Sequence, residues 1–83
     1  MQTYLEKRQP AKNVARFYRM AVMPNLFGEW TLNREWGRIG QGGQVRMDWF
    51  AAENQAVAAL VTLEASKRQR GYWVEPQQLA MFR

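Results

Sequence analysis

A helical hydrophobic pattern in residues 51–70 is the feature of this sequence that most limits its fold. Ala56, Leu60 and Leu63 recur at intervals of four and three residues, so they form one apolar stripe along a helix. The segment ends in basic residues, which match the negative end of the helix dipole. Gly71 then suits the left-handed position that follows a helix. A single helix with one apolar stripe has to pack on another layer, and the rest of the chain has to supply that layer.

Three segments ahead of the helix alternate in the manner of β-strands. Residues 30–36 and 44–50 alternate bulky with polar side chains, whereas residues 14–23 carry apolar and basic residues on both faces. The pattern therefore leaves open which face of residues 14–23 meets the helix. Residues 72–74 form either a last short strand or an extended segment packed on the sheet. The sequence predicts an α+β fold, an antiparallel β-sheet of three to five strands with one α-helix packed on one face. The other face has no helix to cover it and is open to a ligand.

The length of 83 residues is that of one domain. We expect its core to span about residues 14–75, with residues 1–13 and 76–83 as arms. Pro10 interrupts regular structure in the first arm, and a short edge strand at residues 3–5 stays open there. Apart from that strand, the first arm is predicted to be loose.

Composition excludes several classes of function. Hydrophobic residues make up 47% of the chain and aromatic residues 13%, which is too apolar for a disordered segment. Cysteine and histidine are absent, which excludes disulfides, thiolate or imidazole metal sites and histidine-dependent catalysis. A carboxylate-only site stays formally open, but the acidic residues are scattered among more numerous basic ones. We expect a protein that is not an enzyme, with no catalytic residue, no metal site and no cofactor.

The chain carries a net charge of +5, with a pI of about 10.3. Such an excess favours a polyanion as the partner, either nucleic acid or an anionic membrane. Residues 1–46 carry eight basic and three acidic residues, whereas residues 47–66 carry three acidic residues and no basic one. A membrane-surface helix would need basic residues along its polar face, and this helix lacks them until its last turn. We therefore expect a nucleic acid and no membrane. The N-terminus has no apolar stretch like that of a signal peptide, so a cytoplasmic location is expected.

The run Trp36-Gly37-Arg38 contains the strongest candidates for contact with such a partner. In a strand, Trp36 and Arg38 share one face and join a stacking surface to a guanidinium that can grip phosphate. Simple alternation, however, places Trp36 on the core face of residues 30–36. A bulge near Gly37 would release the indole to the surface. A buried tryptophan beside a solvated arginine is the alternative.

Other basic residues are candidate phosphate contacts. The first group lies on the predicted strands, and its alternative is a solvated strand face: Arg16, Arg19, Arg34 and Arg46. The second group closes the helix, and its alternative is compensation of the helix dipole: Lys67, Arg68 and Arg70.

Trp36-Gly37-Arg38 resembles the signature of the WGR domain family, and the likeness extends along the chain. The Arg-Phe-Tyr of residues 16–18 resembles the start of the family's first long strand, and residues 26–30 resemble a turn of its small bacterial members. Residues 67–72 resemble the family's basic helix end followed by Gly-Tyr. In the WGR domains of poly(ADP-ribose) polymerases that sense DNA breaks, the signature tryptophan and arginine engage DNA at a strand end. The resemblance implies that Trp36 stacks on a sugar or a DNA end, that Arg38 holds the backbone, and that Gly37 permits close backbone approach.

The sequence and this resemblance together favour a non-enzymatic nucleic-acid-binding module. DNA is expected before RNA, with little sequence specificity, and the chain is expected to be a monomer or a weak homodimer. The alternative is a protein-interaction adaptor that uses the open sheet face or an edge strand. The apolar residues near the C-terminus motivate it: Tyr72, Trp73, Met81 and Phe82.

Overall fold

The structure, a computed structural model, describes residues 1–74 of the chain. Its elements follow one another as β1 (Gln2–Gln9), β2 (Val14–Pro24), β3 (Trp30–Arg38), β4 (Gln44–Phe50), α1 (Glu53–Gln69) and β5 (Trp73–Val74). The predicted α+β fold is confirmed, with one helix packed on an open antiparallel sheet. The predicted arm at residues 76–83 lies outside the described residues.

The strands lie in the order β4-β3-β2-β1-β5, and every neighbouring pair is antiparallel. β3 pairs with β2 from Trp30 to Arg38 in one unbroken register. Gly37 lies opposite Phe17 within this register, so β3 has no bulge there. The expectation that a bulge releases the signature tryptophan is therefore wrong.

The prediction of a loose first arm is also wrong. β1 pairs with β2 along all eight of its residues and lies between β2 and β5 inside the sheet. Leu5 is fully buried beneath the helix, so the core begins well before residue 14. Pro10 ends β1 and starts a 3-10 turn, and Asn13 at φ 54° reverses the chain into β2. The proline marks a corner between two paired strands.

The helix covers the face of the sheet that carries the even-numbered residues of β2. Tyr18, Met20 and Val22 are buried there together with Leu5 and with residues of β3 and the helix, Leu32, Ala56 and Leu60. The register assigns each remaining strand residue to one of the two faces, because directly paired residues point to the same side of the sheet. We call the covered side the helix face and the other side the open face.

Candidate nucleic-acid interface

Trp36 lies on the helix face, because it pairs with Tyr18. Its ring stacks beside that of Tyr18, with centroids 5.6 Å apart and planes 13° from parallel. The indole packs against the core cluster but remains half-buried. The alternation of residues 30–36 therefore predicted its face correctly. Its outer surface remains accessible because Trp36 lies near the end of β3.

Tyr18 connects the indole to the end of the helix. Tyr72 meets the Tyr18 ring edge-on at 6.3 Å and 79°, and the Lys67 ammonium nitrogen lies 4.6 Å from the centre of the same ring. We call Tyr18, Trp36 and Tyr72 the aromatic cluster. Tyr18 itself is buried. It contacts both Trp36 and Lys67, an arrangement that follows from the strand register and that the hydrophobic pattern of the sequence did not indicate.

Arg34 is held inside the fold beside this cluster. Its side chain is 13% exposed and forms an ion pair of 3.1 Å with Asp48. The guanidinium also donates to the Tyr18 hydroxyl at 3.3 Å and lies 5.9 Å from the Trp36 ring centre. Arg34 is thus paired with an acid, and its guanidinium contacts both rings from the interior of the fold. Its geometry suits support of the aromatic cluster better than contact with phosphate.

Three basic residues lie on the same face as the aromatic cluster, two residues further along their strands. Lys7 pairs with Arg16, and Arg16 pairs with Arg38, so the three side chains form a line across β1, β2 and β3 on the helix face. We call them the cationic row. Within residues 1–74 no carboxylate lies within ion-pair distance of any of them. Arg38 donates only to Asn13, to its carbonyl oxygen and its side-chain oxygen, at 3.3 Å each.

The end of the helix adds charge to the same region. Burial lowers the pKa of Lys67, and the nearby charges of Arg70 and Arg34 lower it further. A β-carbon built on Gly71 would lie 3.4 Å from the Lys7 side chain, so the residue after the helix adjoins the cationic row. The helix dipole places its negative end here, which accounts for part of this basic clustering.

The remaining basic candidates lie apart from Trp36 or are paired with acids. Arg68 contacts Glu64 one helical turn back at 3.3 Å, and Arg46 contacts Asp48 at 3.1 Å. Arg19 lies on the open face, 3.6 Å from Glu35. Its guanidinium covers two rings there, 5.7 Å from the centre of Tyr4 and 5.9 Å from that of Phe17.

Gly37 faces away from Trp36, toward Phe17 on the open face. A β-carbon there would lie 2.9 Å from Gly43 Cα, because the turn between β3 and β4 folds close against the strand. Glycine is needed at this position for the packing of the chain on itself. The close approach seen here is made by a neighbouring segment of the same chain, and the expected approach of a ligand stays a prediction.

Sequence reasoning missed Lys7 as a member of the site because residues 1–13 were predicted to be loose. The signal was present: Thr3, Leu5 and Lys7 alternate with Tyr4 and Glu6, as expected of a strand with one face on a core. Among residues 1–74, no cluster of three or more acidic residues could hold a metal ion. No helix in that range is long and apolar enough to span a bilayer.

Known sequences resemble this chain over most of its length. The family model of the WGR domain matches residues 1–78, which include β1. A protein of Sinorhizobium fredii named "Uncharacterized protein y4dW" is 45% identical over 73 residues, covering 88% of this chain and 36% of that protein. This chain therefore spans about a third of the length of that relative. No solved structure matches. The WGR domain is a binding module, which binds nucleic acid in the poly(ADP-ribose) polymerases, and this chain belongs to the WGR domain family.

Proposed function

We propose that this protein binds DNA through the uncovered end of its helix face, by charge and by stacking, without reading sequence. The observation that carries the proposal is the cationic row beside the half-buried Trp36. Like charges directly opposite each other in a sheet destabilise it by roughly 0.2–1 kcal/mol per pair, less where solvent screens them. Two such pairs in a line, with no acid near them in the described residues, suit a surface whose counter-charge comes from a ligand.

Each part of the site has a distinct role in this proposal. Arg16, Arg38 and Lys7 contact phosphates, while the outer surface of Trp36 stacks on a sugar or on the last base of a duplex. Arg34 holds the aromatic cluster in place from inside and touches no phosphate. Family membership supports the choice of nucleic acid, since the WGR domains of poly(ADP-ribose) polymerases bind it.

Salt dependence tests the electrostatic part of the proposal. Five basic side chains lie in the cationic row or at the end of the helix, and within residues 1–74 none forms an ion pair with an acid: Lys7, Arg16, Arg38, Lys67 and Arg70. If each neutralises one phosphate, the slope of log affinity against log salt for duplex DNA is about −4.5. Fluorescence anisotropy with blunt, nicked and closed circular duplexes of one sequence measures this slope. Competition with RNA of the same sequence measures the preference for DNA.

Matched variants test the location of the site. Arg16→Gln and Arg38→Gln should each weaken binding and reduce the salt slope by about one. Arg19→Gln removes the same charge from the open face, so it should leave both nearly unchanged. Trp36→Leu should abolish a preference for DNA ends while it keeps the salt slope. A flat salt response, or equal effects of Arg19→Gln and Arg16→Gln, would remove the assignment.

Protein binding remains the second candidate function, and the open face favours it. Phe27 and Met23 are exposed there beside two residues of β4, Met47 and Trp49. These four side chains border a shallow apolar groove that also contains Thr31 and other polar residues. Met81 and Phe82, which first motivated an adaptor, lie outside the described residues. A partner captured after nuclease treatment and in high salt would support this function.

A further inference from the structure

We infer that two copies of this chain pair through their β4 strands to form a twofold-symmetric dimer with one continuous sheet. Within residues 1–74, β4 is an edge strand that pairs with β3 on one side only. Alternate backbone N–H and C=O groups along its seven residues therefore point away from the sheet. The other edge, β5, has two residues within the described part of the chain and offers a shorter template there.

The side chains of β4 do not protect this edge. Edge strands are commonly blocked by charged side chains, especially lysine, by proline or by a bulge. β4 contains no lysine or proline, its two charged residues Arg46 and Asp48 pair with each other, and it pairs with β3 from Gln44 to Phe50 in an unbroken register. On the open face, Val45, Met47 and Trp49 are 70%, 43% and 60% exposed. A monomer thus presents an unpaired backbone edge beside a row of exposed apolar side chains.

The sequence of β4 is complementary to itself in one antiparallel register. When Met47 of the two copies lie opposite each other, Arg46 lies opposite Asp48 of the second copy, and Val45 lies opposite its Trp49. The first pair joins opposite charges and the second joins a β-branched to an aromatic side chain, and both combinations stabilise antiparallel strands.

Neighbouring registers lose this complementarity. If the symmetry centre moves from Met47 to Arg46, two guanidinium groups lie opposite each other. If it moves to Asp48, two carboxylates lie opposite each other. In the registers between these, the helix-face residues of one copy lie opposite the open-face residues of the other. Charge therefore selects the Met47-centred register.

The resulting dimer keeps both helices on the same side, because a twofold axis perpendicular to the sheet preserves its faces. A pair of seven-residue strands buries little area, so association falls at the weak end of specific interfaces and depends on concentration. The inference is independent of DNA binding, since the cationic row lies on β1, β2 and β3.

Two opposite substitutions at the symmetry centre test the register. Met47→Glu and Met47→Lys each place like charges face to face, so each variant alone should remain at the monomer mass of 9.8 kDa. An equimolar mixture should recover the doubled mass of the wild type, because the introduced charges then attract. Light scattering on a concentration series up to the millimolar range measures these masses, and circular dichroism verifies that each variant is folded.

Met23→Glu is the matched control, since Met23 is exposed on the same face but lies on β2. This variant should dimerise like the wild type, whereas loss of its dimer would indicate general apolar association and overturn strand pairing. A wild type that stays monomeric at millimolar concentration would overturn the inference. So would Met47 variants that dimerise alone, or a mixture of the two that stays monomeric.

Discussion

At the residue scale, three arginines of the same strand system have three different environments. Within residues 1–74, the Arg38 side chain hydrogen-bonds to Asn13 alone, Arg34 is enclosed by Asp48 and the aromatic cluster, and Arg19 is paired with Glu35 on the open face. Their residue type predicted a phosphate contact for all of them. Register and the positions of acids separate them, and neither can be obtained from spacing when both faces of a strand carry basic residues.

The glycines of the β3–β4 turn allow a sharp test of local packing. A β-carbon on Gly43 would overlap the carbonyl oxygen of Trp36, whereas one on Gly42 would meet nothing within 4 Å. Gly43→Ala should therefore lower the free energy of unfolding by about 1–3 kcal/mol. Gly42→Ala should change it little, or raise it slightly by restricting the unfolded chain. Urea denaturation measures both, and equal stabilities of the two variants would contradict the close approach of the turn.

Lys67 predicts a pH dependence of stability. Burial, followed by the charges of Arg70 and Arg34, lowers its pKa from the usual 10.5. Between the lowered pKa and 10.5, the unfolded state binds more protons than the folded state, so the free energy of unfolding should rise with pH there. Below that window the protonated side chain carries its full penalty in the folded state.

Comparison with Lys67→Met isolates this contribution. The stability of the wild type relative to the variant should increase as pH rises through the window, measured by urea denaturation at several pH values. Tyr4, whose pKa is raised above 10.0 chiefly by burial, acts in the opposite direction above that pH, but it does so equally in both proteins. A stability difference that is constant with pH would show that Lys67 titrates normally.

At the element scale, the sequence predicted the helix and β2, β3 and β4 closely, because each has ten or more residues or a clean alternation of two residue classes. The helix, expected at residues 51–70, is Glu53–Gln69, and Ala52 at its N-cap provides no side-chain hydrogen bond that would mark the start. Of β1, only a short edge strand at residues 3–5 was considered, since Leu5 is its only fully buried apolar residue and Pro10 suggested a loop. Its pairing is determined by β2 and β5, which are distant in sequence.

The position of β1 inside the sheet predicts a large effect of a single truncation. Leu5→Ala removes a fully buried side chain from beneath the helix, so it should lower the free energy of unfolding by about 2–5 kcal/mol. Leu26→Ala is the matched control, since Leu26 is 97% exposed in the β2–β3 turn and should tolerate the change. Chemical denaturation of both variants measures the difference. A small loss for Leu5→Ala would restore the original expectation of a loose arm.

At the scale of the whole molecule, the sheet separates two kinds of surface. Unpaired positive charge gathers on the helix face around Trp36, while exposed apolar residues gather on the open face along β4. The sequence predicted an excess of positive charge and an open face, but it left open on which face the basic residues of β2 lie. The register of β1 with β2 separates them, because it brings Lys7 to the helix face beside Arg16.

This charge distribution predicts opposite effects of salt on folding and on binding. Without DNA, added salt screens the repulsion within the cationic row, so the melting temperature should rise between low and moderate salt. Affinity for DNA should fall over the same range, because releasing the same number of counterions gains less entropy when the surrounding salt is more concentrated. Arg16→Gln removes the central charge of the row, so it should raise the melting temperature at low salt, flatten its salt dependence and weaken DNA binding. Arg19→Gln breaks an attractive pair with Glu35, so it should lower stability slightly or leave it unchanged.

Thermal melting by circular dichroism and fluorescence anisotropy on the same samples measure the melting temperature and the affinity for DNA. If Arg16→Gln weakened binding without stabilising the free protein at low salt, the cations would be too far apart to repel one another, and the row would not be the ligand-compensated surface proposed.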